Sequence, residues 1–487
     1  MRSARCVLHP AESRLSRIRN ARSHSWASTS PERNLLTNEC ARQRSHRGMS
    51  LTNKMDVIGR GDAASVASAS PAVSESLQPS FLKTLLLCFL AILLDGLDTG
   101  SIGVAGPAIA AHFGVSTASL TLPFIMTSIG AVLGYLASGY LVARWRARRV
   151  LIFSVIGFGV LTLATPFASS IIVLSILRLV TAIGLGAALP SAVAIAVLQA
   201  PVTLRAAATI VVGTGLAAGG ALGGALGGLL TRKYGWESLF YFGGALPLLL
   251  SLVLLRWLPA SDEADAAATA AGDKRMAGNL KLISSIFAGS LGGRTAGLWV
   301  FSFLIFADAY ALIFWLPPLL IGFGFPAADG QFAVGFFSAG GLIANLIVVP
   351  LVGRFAVTSV MRIAASTAGL CVTGIALWAT TSWVWALILG AGAGLIACSV
   401  GQSALAVSIY PAPLRTNGVG FSAAAGRIGS IVGPAFVGLL FSLGWSPKSI
   451  VLAAAVPILA AILVLLLLPR SVQGSELWDV SAGKRGT

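Results

Sequence analysis

The sequence predicts an all-α integral membrane protein of twelve transmembrane helices, arranged as two pseudo-symmetric six-helix bundles. Three observations carry that prediction. Only 10% of the 487 residues are charged and 56% are hydrophobic, whereas a soluble domain carries roughly 25% charged residues. Apolar blocks such as 85–94, 171–177 and 451–468 recur along the chain, and a helix needs about 20 mostly apolar residues to cross a bilayer. The second half also repeats landmarks of the first at a constant offset of 210 residues.

Residues 1–80 are rich in Arg, Ser, His and Asn and contain no apolar run long enough for a signal-peptide core, so a disordered, basic cytoplasmic tail is expected. Glu12, Glu32 and Glu39 interrupt what would otherwise resemble a mitochondrial presequence, a class poor in acids. A start at Met49 or Met55 would leave only a short polar tail, and both alternatives stand. Breaks at Gly, Pro and charge clusters then divide the chain into apolar segments at 82–110, 118–142, 149–168, 170–199, 206–230 and 239–258. These six form a first half over 81–258. A polar loop over 259–294 follows, holding Asp262, Glu263, Asp265, Asp273, Lys274 and Arg275. Six more segments, at 295–322, 329–352, 360–380, 382–409, 414–443 and 447–468, form a second half over 295–469, and residues 470–487 make a cytoplasmic tail.

The net charge of +17 would raise nucleic acid as a partner, but its distribution gives it another use. Twelve of the 34 Lys and Arg precede residue 81. With a cytoplasmic amino terminus, the inner loops hold Arg144, Arg146, Arg148, Arg149, Arg205, Arg256, Lys274, Arg275, Lys281, Arg294, Arg354, Arg362 and Arg415, and the outer loops only Arg232, Lys233 and Lys448. That asymmetry is the positive-inside pattern, and with an even helix count it puts both termini in the cytoplasm. No nucleic-acid partner is expected. The five cysteines, Cys6, Cys40, Cys88, Cys371 and Cys398, show no paired spacing, so neither a disulfide framework nor a metal site is predicted. The triplet Gly213, Gly215 and Ala218 fits a dinucleotide fingerprint but lies inside an apolar helix with no strand before it. Close helix packing, continued by Gly219, Gly220, Gly223, Gly224, Gly227 and Gly228, accounts for it better. His112 falls at the outer end of the first segment and is expected in a loop.

A shift of 210 residues brings Arg144 onto Arg354, Arg205 onto Arg415, Gly223 onto Gly433, Gly228 onto Gly438 and Asp98 onto Asp308. With six helices per copy, the two halves share one orientation, a plan that puts a substrate site midway between them. Asp95-Gly96-Leu97-Asp98 with Gly106-Pro107, Arg178 with Gly184-Leu185-Gly186 and Ala188-Leu189-Pro190, and the run from Tyr410-Pro411 through Leu414-Arg415 and Gly418-Val419-Gly420 to Gly426-Arg427-Ile428-Gly429-Ser430 and Gly433-Pro434 are distinctive. Over about residues 82–469 these motifs resemble the major facilitator superfamily and, within it, the aromatic acid/proton symporter family. Trp315-Leu316-Pro317 and Leu258-Pro259 also fit. The superfamily's gating loop between helices 2 and 3 is expected around Gly139, Arg144 and Arg148, but Ala143 stands where the motif has Asp, Arg146 where it has Gly, and Ala147 where it has the first of two Arg. Leu198 and Ser191 occupy positions where the family carries Glu and Asn.

Asp95 and Asp98 lie thirteen to sixteen residues into the first segment, about 20 Å along a helix and so near mid-membrane. Three apart, they are expected on one face. An ionised Asp there costs on the order of 2.5–3.5 kcal/mol, which implies a wet cavity, a cationic partner or a proton. Burial and like charge both oppose ionisation, and a carboxyl so poised can carry a proton through a cycle; a structural clamp on a neighbouring helix is the alternative. Arg178 and Arg427 sit deep in apolar segments and offer a permanent charge with a fork suited to carboxylates. They are the expected anion ligands, unless they neutralise Asp95, Asp98 or Asp308. Asp308 and Tyr310 lie at the equivalent depth in the second half, where Tyr310 could donate to a carboxylate and Phe314 or Trp315 could stack on a ring. The resemblance then implies a monomeric, proton-coupled importer of small aromatic carboxylates, hydroxybenzoate-like, in the inner membrane, with no cofactor and no enzymatic step. The rivals are a proton-driven exporter of drugs or metabolites of the same superfamily, a non-transporting sensor and an intramembrane enzyme.

Overall fold

A computed structural model of the chain describes residues 79–201, 204–259, 287, 291–352, 354–379 and 382–468. The expected tails, Cys6, Cys40, Lys274, Arg275, Lys281 and the acidic residues of the central loop lie outside the described residues. Twelve helices long and apolar enough to cross a membrane are present among them: α1 (Pro79–Phe113), α2 (Thr121–Trp145), α3 (Ala147–Ala164), α4 (Ile171–Gln199), α5 (Arg205–Tyr234), α6 (Glu237–Trp257), α7 (Leu291–Gly322), α8 (Ala327–Val352), α9 (Val357–Trp378), α10 (Val384–Ile409), α11 (Ala412–Ser442) and α12 (Pro447–Leu467). The boundaries differ from the hydropathy segments by no more than four residues, some helices overrunning the segments and others stopping short. Thus α1 extends to Phe113, and His112 is helical rather than in a loop, edge-on to Trp236 at 5.5 Å. Likewise α7 begins at Leu291 and takes in Arg294.

Local chemistry sets the turns. Ser170 and Ser446 cap α4 and α12 by accepting hydrogen bonds from the Val173 and Ser449 amides. Gly114, Gly235, Gly324 and Gly444 follow α1, α5, α7 and α11 with φ of 63°, 82°, 95° and 74°. The left-handed region is open to glycine without a Cβ clash, and all four turns sit at the same end of the bundle.

The two halves pack alike. In the first, α1 packs on α5, α2 on α4, and α3 on α4 and α6; in the second, α7 packs on α11, α8 on α10, and α9 on α10 and α12. The repeat reaches single atoms: a Cβ on Gly219 would run into the Leu93 carbonyl, and a Cβ on Gly429 into the Phe303 carbonyl, both partners being 210 residues apart. Backbones that close require glycine. The halves meet through α5 with α8, α2 with α11, and α1 with α7. Their contacts concentrate at the end carrying the four glycine turns, where Phe124 stacks on Phe314 at 5.1 Å and meets the Trp315 edge at 5.1 Å. There too Thr231 donates to the Gln331 side chain. Toward the other end Gly139, Gly213 and Gly420 face open space, with no atom within 4 Å of where a Cβ would stand. The bundle is closed at one end and parted at the other.

Candidate functional site

A cavity of about 240 Å³ lies between the halves. It sits on the repeat axis, since its lining contains Gly96 with Phe306, Thr99 with Ala309, Gly100 with Tyr310, Tyr135 with Asn345, Leu189 with Ser399, Gly213 with Ala423 and Ala217 with Arg427, each pair 210 residues apart. The pairs are chemically unequal. Phe306, Tyr310 and Arg427, with Tyr135, build one wall, whereas Gly96, Gly100 and Ala217, the mates of the first three, bring little side chain to the lining.

Arg427 is fixed by α11 and its neighbours. Nη1 donates to the Tyr310 hydroxyl at 3.2 Å, and the guanidinium lies 5.0 Å from the centre of the Tyr135 ring, a cation–π distance. Tyr310 also meets Phe306 and Phe314 at 6.3 and 6.0 Å. Beside this wall a smaller cavity of about 30 Å³ is lined by Asp95, Thr99, Tyr310 and Arg427. Thr99 donates to Asp95 Oδ1 at 3.3 Å. Across the main cavity Asn345 is 3% exposed, and its Oδ1 has no hydrogen-bond partner.

The sequence-predicted residues therefore separate into groups. Asp95, Arg427 and Tyr310 come together at the cavity, but Asp98 and Arg178 do not. Asp98 turns away from Asp95, forms an ion pair with Arg178 and accepts a 2.6 Å hydrogen bond from Thr162. Both side chains are wholly buried, with Phe240 5.8 Å from the guanidinium. Residues three apart on a helix diverge by about 60° around its axis, enough to aim one carboxylate at the axis and the other into the first bundle. Arg178 thus lines no part of the central cavity. Neither does Trp315, fully buried, which donates to the Pro434 carbonyl at 3.0 Å and stacks on Phe441 at 4.9 Å. Asp308 borders a separate cavity among α7, α11 and α12.

In the expected gating loop, Arg144 is exposed and Gly139 faces open space. Arg148 pins the start of α3 to the end of α6, donating to the Leu258 and Leu255 carbonyls at 2.8 and 2.7 Å. Arg362 does the same in the second half, to the Leu465 carbonyl at 3.0 and 2.7 Å and to that of Leu468 at 3.3 Å. Sequence reasoning missed Arg362 as a staple because it stands one helical turn out of register with Arg148. It also missed Tyr135 and Asn345, although the 210-residue offset relates them and Asn345 is a lone amide in an apolar stretch.

Two like bundles around an axial cavity that opens at one end define a secondary transporter. The Major Facilitator Superfamily model matches residues 88–411 and 298–477. The 4-hydroxybenzoate transporter PcaK of Pseudomonas putida is 30% identical over 400 residues, covering 77% of this chain and 89% of its own. The 3-(3-hydroxy-phenyl)propionate transporter of Escherichia coli is 33% identical over 391 residues, 79% and 93% of the two chains. In fold, the chain matches the crystal structure of a D-xylose-proton symporter with a TM-score of 0.64 at 17% identity, over 80% of this chain and 99% of that one. The chain belongs to the major facilitator superfamily, and within it to the aromatic acid transporter family.

Proposed function

We propose that this protein is a monomeric carrier that imports small aromatic carboxylates together with protons across the inner membrane, both termini being cytoplasmic. The observation that carries the reading is a permanently charged Arg427 held by Tyr310 and Tyr135 at the wall of a ring-sized cavity. An apolar cavity of about 150 Å³ accepts benzene, so about 240 Å³ accommodates a single ring with its substituents. The carboxylate would take the guanidinium fork with help from the Tyr310 hydroxyl. Phe306 and Ile313 offer apolar contact to the ring. A ring hydroxyl would donate to the unpartnered Asn345 Oδ1.

Coupling follows from the shared small cavity. An ionised Asp95 competes with substrate for the field of Arg427; a protonated Asp95 leaves the guanidinium free for the incoming anion. Proton and substrate then favour each other's binding, which is reciprocal coupling between two ligands. Asp98, clamped by Arg178 and Thr162, would hold α1 to the first bundle while that exchange takes place. With cytoplasmic termini, the parted end faces inward, and rocking of the halves exposes the same site to the outside.

The test is an uptake panel in proteoliposomes under an imposed pH gradient, comparing benzoate, 3- and 4-hydroxybenzoate and the neutral 4-hydroxybenzamide. Accumulation of the acids, driven by inward proton flux and absent for the amide, is the expected result. Outward, proton-driven extrusion would show an exporter instead, and lack of any accumulation would refute the assignment.

A further inference from the structure

The 210-residue repeat makes one residue conspicuous. Asp308 is the mate of Asp98, yet nothing that holds Asp98 survives in the second half: Val372 stands for Thr162, Ile388 for Arg178 and Ile450 for Phe240. Asp308 is nonetheless 4% exposed, and its Oδ2 has no hydrogen-bond partner. It borders a cavity of about 170 Å³ among α7, α11 and α12. Space opens there partly because Ala307 stands where the first half has Leu97, whose side chain packs against Gly243.

Every other residue lining this cavity is apolar. No titratable side chain reaches it from α7, α11 or α12: Arg427 of α11 faces the central cavity, and Lys448 lies exposed at the start of α12. α10 carries no acidic or basic residue, and its Cys398 faces the Met361 carbonyl. Pro457, on the cavity wall, has no amide hydrogen and so releases the Ala453 carbonyl of the same wall from its helical bond. One carboxyl and one released carbonyl are too few oxygens for a calcium or magnesium ion, which takes six or more. They suit a proton held on the carboxyl. Val432 and Phe436 of the lining are 42% and 49% exposed on the bundle's outer surface, so the cavity borders the lipid rather than the substrate path.

We propose that Asp308 is a second proton-carrying site of this transporter, a neutral carboxylic acid beside the α7–α11–α12 cavity and separate from the substrate site. Because α7 carries both Asp308 and Tyr310 on different faces, movement of this helix against α11 would bring the carboxyl to the water of the central path, which takes its proton as hydronium and returns it, and so link that exchange to the state of the site. The link to transport rests on the proton-coupled reading above; the protonated carboxyl does not.

Two measurements on the full-length protein in proteoliposomes test it. Dicyclohexylcarbodiimide, which is lipid-soluble, adds the O–H of a protonated carboxyl across its C=N bond and rearranges to a stable N-acylurea. Peptide mass analysis is expected to find this adduct on Asp308, at a rate that falls as pH rises, and not on the ion-paired Asp98. Asp308→Asn, which keeps the shape, is expected to retain substrate counterflow while lowering the protons moved per substrate; Asp308→Glu restores them. No adduct at any pH overturns the proposal. An adduct with unchanged stoichiometry in Asp308→Asn also overturns it, leaving a static acid. A wild-type protein that moves no protons with substrate would refute the coupled function, while the labelling result still decides whether Asp308 is protonated.

Discussion

Arg427, Asn345 and the Asp98–Arg178 pair place three different demands on single side chains. Arg427→Lys keeps the charge but loses the fork, so substrate affinity is expected to fall by about 2–5 kcal/mol where the ion pair is desolvated. The preference for the acid over its amide should shrink with it, measured by equilibrium binding of both ligands. Asn345→Leu removes an acceptor without adding charge. It should weaken hydroxybenzoates by about 1–3 kcal/mol and leave benzoate nearly unchanged; an equal loss for both would mean that Asn345 serves packing. For the buried pair, Arg178→Leu strands a carboxylate and is expected to cost about 3–5 kcal/mol of stability, and Asp98→Asn in the same chain should return most of it. Thermal unfolding of the singles and the double reads that cycle. Arg427 and Tyr310 could be found from sequence because a permanent charge and a phenol at mid-membrane are conspicuous. That Asp95 and Asp98 part company could not, since their divergence depends on which neighbouring helix supplies a cation, and that is a tertiary fact.

Helix ends and crossings show where the chain departs from its own repeat. Arg146 joins α2 to α3 with φ of 71° and ψ of 142°, in a region close to the one essentially reserved for glycine and costing about 1–3 kcal/mol for other residues. This is the position where the superfamily motif carries Gly. Arg146→Gly is therefore expected to raise the melting temperature, and no rise would mean that the side chain's own contacts outweigh the backbone. The existence of all twelve helices was legible in hydropathy, and every end lay within four residues of its structural bound. The misses have physical causes: α7 starts early because Arg294 can reach the interface from a helical turn, and α1 runs on to Phe113 because Gly114 supplies the stop. The glycine run of α5 packs as read from Gly215 onward, but Gly213 faces the cavity; the atom-for-atom match at Gly219 and Gly429 explains why these two positions tolerate no side chain.

At the scale of the molecule, the contacts between α5 and α8 and between α2 and α11 form a single closed end. Cysteines replacing Thr231 and Gln331, joined by a bifunctional thiol reagent, are expected to stop transport while leaving substrate binding from the parted end intact. Continued turnover after complete cross-linking would show that this end need not open. Reporter fusions after residues 270 and 480 are expected to report the same, cytoplasmic side, as the Lys and Arg asymmetry requires. The two-bundle plan was legible because duplication left a constant offset in the chain. The polarity of the cavity was not, because it arises from pairs such as Ala217 and Arg427 in which the copies have diverged. The bare wall of Gly96, Gly100, Gly213, Ala217 and Gly220 bears on how substrate choice can evolve. Gly100 and Gly213 have nothing left to trim, so mutation there can only narrow the chamber, whereas a Cβ on Gly96 or Gly220 would run into α5's Leu216 backbone or into Ser338 of α8. Ala217→Val or Gly100→Ala would turn a carrier of substituted rings into one confined to smaller acids. Widening would have to come from Phe306 or Ile313 across the axis, on the wall that carries Arg427, so descendants of this chain could narrow their cargo without touching its charge selectivity but could enlarge it only beside the residue that sets that selectivity.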